Sequence, residues 1–314
     1  MKIVVLGAGA LGCAMGGVLT EAGHEVWLIN RNAVQVDAMN AHGLVLRSEV
    51  ADRTVSVRAT REAAGIDLTT GPVDLVIVLV KSFHTRDAIG AALSLLSENT
   101  AVLSLQNGLG HEDILAELVG RERLLAGKTY VGGTLLAPGH VIAGTRGKET
   151  VIGELDGGIS ARATRIADAF TQAGLLTTVS ADIMATIWEK LLVNVATGAV
   201  SGISGLAYGE LYAVPEIEAC AVAAVQEGMA VATASGIRLS TTDPRAAWLK
   251  AGAGLPPEFK TSMLQSLQKG SVTEIDYING AVASQGRKVG VPTPVNDTLV
   301  ACIKGLERRL VQPV

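Results

Sequence analysis

The feature that most constrains this chain is a glycine-rich turn between an apolar run and a helical pattern near the N-terminus. The apolar run is Ile3–Leu6, the helical pattern continues to Glu21, and the turn between them reads Gly7-Ala8-Gly9-Ala10-Leu11-Gly12. A G-x-G-x-x-G pattern between a strand and a helix is typical of a βαβ unit that binds a dinucleotide. The glycines permit a tight turn, the approach of a pyrophosphate and close helix packing, while the helix N-terminus attracts phosphates. A signal peptide beginning at Lys2 is the alternative, but five glycines between positions 7 and 17 disfavour it.

The residues that follow the second predicted strand indicate which dinucleotide binds. This strand, Glu25–Ile29, is followed by Asn30 and Arg31. Proteins that bind NAD carry an acidic residue near this point, which accepts hydrogen bonds from the ribose hydroxyls. A guanidinium instead forms paired, charge-assisted hydrogen bonds with a phosphate. The sequence therefore predicts NADP(H), and the alternative is that Arg31 is only a solvated surface cation.

Length, charge and cysteine content limit the class of protein. A chain of 314 residues is long enough for two domains, and a net charge of −4 without acidic or basic blocks argues against a nucleic-acid surface. The cysteines Cys13, Cys220 and Cys302 have no metal-binding spacing, which predicts a reduced, cytoplasmic protein without a metal site. The apolar stretch 191–207 contains Asn194 and several glycines, so we interpret it as a buried helix rather than a membrane span.

The periodicity of the chain changes near residue 180. Strands predicted over 73–80, 101–105 and 124–126 alternate with helical segments, and a hairpin is predicted over 139–153 at the sheet edge. Beyond this point only helical patterns occur; helices are predicted from a repeat at spacing four beginning at Ile183 and over 215–235, 244–251, 262–268 and 274–285. The predicted fold is α/β, with an N-terminal Rossmann-type dinucleotide-binding domain (1–180) and an all-α C-terminal domain (181–314).

Polar residues follow the predicted strands at their carboxyl ends, where open α/β sheets bind their ligands. We expect one cleft to be lined by the residues at these strand ends: Gly9, Arg31, Lys81, Asn107 and Thr129.

A lysine and an asparagine share one face of an otherwise apolar helical pattern. Lys190 and Asn194 are four residues apart, beside the buried stripe predicted from Ile187 and Leu191. A buried ammonium is costly without a partner or a function, although Lys190 could also extend its head group into water. Glu274, in a second apolar segment predicted to be helical, is a candidate partner.

Several segments together resemble the 2-dehydropantoate 2-reductase, or ketopantoate reductase, family over nearly the whole chain. They are Lys2–Gly12 with Gly23–Val26, Val80-Lys81, Gln106–Gly110, Trp188–Asn194, Ser262–Gln265 and Thr273–Gly280, the last being very specific. The resemblance implies that NADPH reduces the ketone of ketopantoate to pantoate, on the route to pantothenate and coenzyme A.

The resemblance also assigns roles to the candidate site residues. It implies that Lys190 is the general acid that protonates the developing alkoxide. Glu274 would bind the substrate hydroxyl and Ser262 the carboxylate, although Ser262 also fits a helix N-cap on pattern alone. The remaining substrate contacts would be Asn194, Asn107 and Lys81, and the cofactor contacts would be Gly7–Gly12, Arg31, Lys81 and Asn107.

Two departures from the family pattern leave the substrate open. Gly198 stands where the family usually has an asparagine, one turn beyond Asn194, and His84 stands where it often has a glutamine. We expect open space near Gly198 that would admit a larger or differently polar 2-oxo acid. The alternatives are a family member for another 2-oxo or imino acid, a non-catalytic NADPH sensor, and a β-hydroxyacid dehydrogenase. The expected partner is a small molecule rather than nucleic acid or a membrane, and a homodimer is a candidate assembly.

Overall fold

The computed structural model describes residues 1–48 and 51–311, which divide into two compact units. The first unit comprises Met1–Gln106 and His111–Ile183, and the second comprises Asn107–Gly110 and the chain from Met184 onward. The loop Asn107–Gly110 thus packs with the second unit, although the sequence placed it within the first domain.

The first unit is a layered α/β structure. Its strands are β1 (Lys2–Leu6), β2 (Glu25–Ile29), β3 (Leu44–Arg47), β4 (Asp52–Val55), β5 (Arg58–Thr60), β6 (Leu75–Val78), β7 (Ala101–Ser104), β8 (Leu124–Thr129), β9 (Gly132–Ala137), β10 (His140–Gly144), β11 (Thr150–Glu154) and β12 (Thr177–Val179). Its helices are α1 (Ala10–Glu21), α2 (Ala33–His42), α3 (Thr85–Gly90), α4 (His111–Val119) and α5 (Ala161–Gln172).

The larger sheet has the strand order β12-β11-β8-β7-β6-β1-β2-β5, and its neighbours are parallel except for the antiparallel pair β8–β11. All residues of β1, β6 and β7 are buried, as continuous apolar runs predict for strands covered on both faces. The predicted α/β domain is therefore confirmed.

A second, smaller sheet has the order β4-β3-β10-β9 and was not foreseen. The hairpin predicted over 139–153 is wrong, because β10 pairs with β9 in the smaller sheet while β11 pairs with β8 and β12 in the larger one. Both strands contain the dipeptide Val-Ile and a glycine, so local pattern cannot tell which partner each one joins. Pairing between distant segments decides that.

The second unit is helical, as predicted. Its helices are α6 (Ile183–Ser204), α7 (Tyr208–Leu211), α8 (Pro215–Ala234), α9 (Pro244–Gly252), α10 (Ser262–Gln268), α11 (Asn279–Val289) and α12 (Pro294–Val311). The helix predicted over 274–285 is wrong at its start, since Ile275–Tyr277 is a short 3₁₀ turn and α11 begins at Asn279. Ile278, with φ −110° and ψ −96°, interrupts the helical geometry between them. Neither α7 nor α12 was predicted.

Within the part of the chain that the structure describes, two helices, α6 and α8, have the length and apolar composition of membrane spans. Within the protein, 67% of the apolar window of α6 is buried, against 33% for α8. A core helix has the same composition as a membrane span, so these features are weak evidence for a membrane. Over residues 1–48 and 51–311, no group of three or more His, Cys, Asp or Glu side chains is placed to hold a metal ion.

Candidate active site

The glycine turn joins β1 to α1 in the first unit. Gly7 has φ +103°, and a Cβ there would lie 2.5 Å from the Val80 backbone nitrogen. A Cβ on Gly12 would lie 2.3 Å from the Gly7 carbonyl oxygen. Packing of the chain itself therefore excludes side chains at both positions.

Gly9 differs from these two glycines, since it is exposed and a Cβ built there would have no atom within 4 Å. It is the N-cap of α1 and makes no side-chain capping bond, and the first turn of α1 contains no acidic residue. The first-turn N–H groups, on Ala10, Leu11 and Gly12, have no intrahelical acceptor. These features fit the phosphates of a dinucleotide, which need donors and an uncovered backbone.

Asn30 has a role that the sequence did not reveal. Its Nδ2 donates to the Ala8 carbonyl oxygen at 2.6 Å, and its Oδ1 accepts from the Asn32 N–H at 2.9 Å. Asn30 therefore ties the end of β2 to the glycine turn. The sequence analysis noted only that no acidic residue follows β2. The asparagine at this position was the one signal that could have indicated a contact with the glycine turn.

Arg31 is exposed at the carboxyl end of β2. Burial lowers the pKa of His84, and the positive charge of Arg31 lowers it further, while Asp87 opposes both. The two residues therefore lie close enough to interact electrostatically. Lys81, also exposed, directly precedes the 3₁₀ turn Ser82–His84 that follows β6.

Thr129 does not line an open cleft as predicted. It is 4% exposed, its hydroxyl pairs with that of Thr150 at 2.8 Å, and it accepts from the Val131 N–H at 3.0 Å. The Thr129 hydroxyl therefore forms hydrogen bonds within the protein, where β8 pairs with β11, rather than facing a ligand.

Lys190 lies on α6 in the second unit and is half-buried. Its Nζ donates to Asn107 Oδ1 at 2.7 Å. The ammonium therefore has the partner that a lysine on an apolar helix requires, and that partner comes from the loop between β7 and α4.

The loop that carries Asn107 is held against the 3₁₀ turn of the second unit. The Leu109 N–H donates to the Tyr277 carbonyl oxygen at 2.9 Å. Gly108 has φ +101°, and a Cβ there would lie 2.4 Å from the same carbonyl oxygen. Only glycine allows this approach, so Gly108 helps to place Asn107 beside Lys190.

Glu274 is half-buried and directly precedes the 3₁₀ turn rather than lying within a helix. The preceding Thr273 donates through its N–H and its hydroxyl to Glu307 Oε1, at 2.6 and 2.7 Å. Glu307, on α12, is 6% exposed. This carboxylate anchors the segment that carries Glu274, and sequence reasoning missed it because α12 itself was missed. Contact between Lys190 and Glu274 stays a prediction.

Ser262 is the first residue of α10, not its N-cap. Thr261 is the cap, since its Oγ1 accepts from the Leu264 N–H at 3.1 Å. Ser262 itself is exposed. Asn194, one turn after Lys190 on α6, is half-buried.

The space expected near Gly198 is bounded by an apolar side chain, and this bears on the substrate. Gly198 is buried, and a Cβ there would lie 3.4 Å from the terminal methyl of Met263. Met263, itself 3% exposed, is the side chain that this Cβ would contact.

The fold and these residues by themselves define a class of protein. A dinucleotide fingerprint on a mostly parallel sheet, together with a hydrogen-bonded ammonium on a helical unit, is typical of nicotinamide-dependent oxidoreductases. The family profile described as "Ketopantoate reductase PanE/ApbA" matches residues 3–157, and the one described as "Ketopantoate reductase PanE/ApbA C terminal" matches residues 182–307. The chain belongs to the ketopantoate reductase family.

Individual relatives are similar to this chain over nearly its full length. The chain is 34% identical to a 2-dehydropantoate 2-reductase of Halobacterium salinarum, covering 98% of this chain and 99% of the relative. A ketopantoate reductase structure from Ralstonia eutropha JMP134 matches with a TM-score of 0.90 and 34% identity, covering 99% and 100% of the two chains. The structure of D-mandelate dehydrogenase with NADH and anilino(oxo)acetate matches with a TM-score of 0.91 and 30% identity, covering 99% of each chain.

The family settles the reaction class. The chain is an NADP-dependent oxidoreductase that acts on a CH–OH group of a small-molecule substrate. The predictions of fold class, family and nicotinamide cofactor are thereby confirmed.

Proposed function

We propose that the chain reduces the 2-oxo group of ketopantoate to pantoate with NADPH, in the cytoplasm and in the service of pantothenate biosynthesis. In this proposal residues 1–180 form the NADP-binding domain and residues 181–314 the catalytic domain. The names of the relatives support the substrate, and the free cysteines support a reduced compartment.

The observation that carries the proposal is the hydrogen bond from Lys190 to Asn107. A lysine ammonium has three N–H donors, and Asn107 Oδ1 takes one of them and thereby orients the group. Bound NADPH supplies a hydride to the carbonyl carbon. Lys190 donates a proton to the carbonyl oxygen as negative charge develops there, and its own positive charge stabilises that oxygen.

The remaining residues bind and orient the ligands. The backbone of Gly7–Gly12 receives the pyrophosphate and Arg31 the 2′-phosphate, with Lys81 and Asn107 close to both ligands. Ser262 binds the substrate carboxylate, and Glu274, held in place through Thr273 and Glu307, accepts a hydrogen bond from the substrate hydroxyl. Asn194, one turn from the proton donor, orients the oxo group. The exposure of Ser262 and the half-burial of Glu274 support these roles.

A second candidate function is the reduction of a different 2-oxo acid. The similarity to D-mandelate dehydrogenase favours it, since that structure holds anilino(oxo)acetate. So does the apolar side chain beside Gly198, since a Cβ at this position, where the family usually places an amide, would lie 3.4 Å from the Met263 methyl. A non-catalytic NADPH sensor is disfavoured, because it would need neither Lys190 nor Glu274.

The deciding experiment follows NADPH oxidation with ketopantoate beside a panel of other 2-oxo acids. We expect kcat/KM for ketopantoate above about 10⁴ M⁻¹s⁻¹, within the usual range for a natural substrate. A value below about 10³ M⁻¹s⁻¹, together with a higher value for another 2-oxo acid, would establish the second candidate. No oxidation with any 2-oxo acid would refute both.

A further inference from the structure

Three positions on α6 fall on successive turns of one side of the helix. Lys190, Asn194 and Gly198 are spaced by four residues, and four residues advance an α-helix by about 6 Å. The first two are polar and half-buried, and the third is a buried glycine. At the turn that follows Asn194 on this side, α6 therefore presents no side chain from position 198.

Met263 occupies that place from the neighbouring helix α10. A Cβ on Gly202 would lie 3.5 Å from Met263 Cγ, whereas a Cβ on Gly198 would lie 3.4 Å from Cε and 3.9 Å from Sδ. The thioether thus runs along α6 from Gly202 toward Gly198. Its methyl end points up the helix in the direction of Asn194.

The neighbours of Met263 connect it to the substrate. It directly follows Ser262, which is exposed while Thr261 caps the helix. A molecule held by its carboxylate at Ser262 and by its oxo group near Asn194 has its next carbon between these points. That carbon would face the methyl of Met263.

We propose that Met263 is a specificity-determining residue that limits the size of the apolar group attached to the carbonyl carbon of a 2-oxo acid. This inference rests on the proposed function. A methionine methyl offers no strong hydrogen-bonding group and adapts its shape to alkyl or aryl groups. A substrate hydroxyl that faces Met263 finds no hydrogen-bond partner. Met263 would therefore discriminate between substrates by the volume of their apolar group rather than by its polarity.

The test compares two hydroxyl-free substrates of different bulk. We measure kcat/KM with phenyl(oxo)acetate and with 3,3-dimethyl-2-oxobutanoate, the analogue of ketopantoate without its hydroxyl. Met263→Ala should raise the ratio of the larger to the smaller substrate by about tenfold or more, since one methylene in a hydrophobic pocket is worth about 10- to 200-fold. Met229→Ala is the matched control, because Met229 packs against the same helical core from α8.

Gly198→Ala makes the opposite change and keeps the test decisive if Met263→Ala does not fold. The new Cβ would be 3.4 Å from a flexible methyl, and alanine is favoured over glycine within a helix. In this ordinary contact the new methyl group limits how far the Met263 methyl can yield to a bulky substrate group, so the same ratio should fall.

The outcomes separate the two proposals. If the wild type reduces 2-oxo acids but folded variants at 263 and 198 keep the wild-type ratio, Met263 serves packing alone and this inference is overturned, while the proposed function stands. If the ratio moves in Met229→Ala as much as in Met263→Ala, the inference is likewise overturned. If the wild type reduces no 2-oxo acid, the proposed function itself fails.

Discussion

Gly9→Ala should separate cofactor binding from folding, because the structure gives the three fingerprint glycines different tasks. Gly9 has φ −78° and ψ −158°, an extended conformation that alanine adopts. Its Cβ would meet no atom within 4 Å. Alanine is a poorer N-cap than glycine by up to about 1 kcal/mol, whereas reduced unfolded-state entropy contributes about 0.4–1 kcal/mol in the opposite direction. The free energy of unfolding should therefore change little.

NADPH binding should respond very differently. A methyl group at Gly9 would occupy the space through which the pyrophosphate approaches the first-turn N–H groups. Loss of one charge-assisted hydrogen bond costs about 1.5–3 kcal/mol, which corresponds to a rise in Kd of about 10- to 100-fold.

The other two glycines provide the contrast. Gly7→Ala combines backbone strain at φ +103° with a clash against Val80, and each effect costs about 1–3 kcal/mol. Gly12→Ala places its Cβ 2.3 Å from a carbonyl oxygen. Both variants should lose thermal stability even without NADPH.

Two measurements check this reasoning, namely Tm without ligand and the Kd for NADPH by fluorescence titration. Gly90→Ala is the matched control, because Gly90 is exposed and its Cβ would also meet nothing within 4 Å. An unchanged Kd in Gly9→Ala would refute the assignment of the turn as the pyrophosphate site. A fall in Tm comparable to that of Gly12→Ala would refute the claim that Gly9 is dispensable for folding.

Three further predictions concern catalysis, cofactor choice and pH. Lys190→Ala should lower kcat by about 10²- to 10⁴-fold with the Kd for NADPH unchanged. Stopped-flow kinetics measure kcat and fluorescence titration measures the Kd. A kcat equal to that of the wild type would exclude Lys190 as the proton donor. Arg31→Ala should raise KM for NADPH by about 10- to 100-fold and leave KM for NADH unaltered. Equal effects on the two KM values would show that Arg31 does not bind the 2′-phosphate. Burial disfavours the Glu154 carboxylate, but hydrogen bonds from Arg162 and Ser160 outweigh it and hold its pKa below the ordinary value of 4.5. A depressed folded-state pKa contributes stability above the unfolded-state value that is lost as pH falls. Glu154→Gln should therefore lower the free energy of unfolding by about 1–3 kcal/mol at neutral pH, with the difference shrinking below about pH 4. Urea unfolding at several pH values measures it, and a pH-independent difference would contradict the ionic origin.

Much of the site was predictable because its signals are local. The turn Gly7–Gly12 lies between a strand and a helix whose bounds follow from periodicity alone, and β2 ends where the sequence placed it. Lys190 stood out because a charge on an apolar helix requires an explanation. The family resemblance then supplied the reaction class that the comparisons confirm.

The errors share one cause, which is that each depends on contacts between distant segments. β10 and β11 carry similar patterns but join different sheets. Glu274 precedes a 3₁₀ turn that is tied by Thr273 to Glu307 on a helix more than thirty residues away. The space beside Gly198 is bounded by Met263 from another helix.

The sequence by itself determined the kind of chemistry, because a fingerprint and a charged residue on an apolar face are visible in neighbouring residues. Only the tertiary structure decided which groups meet. It gave Lys190 its partner in Asn107, gave Asn30 its place on the turn, and placed Met263 beside Gly198. Hydrogen bonds and close packing join residues that are far apart in the chain, and no local periodicity records them.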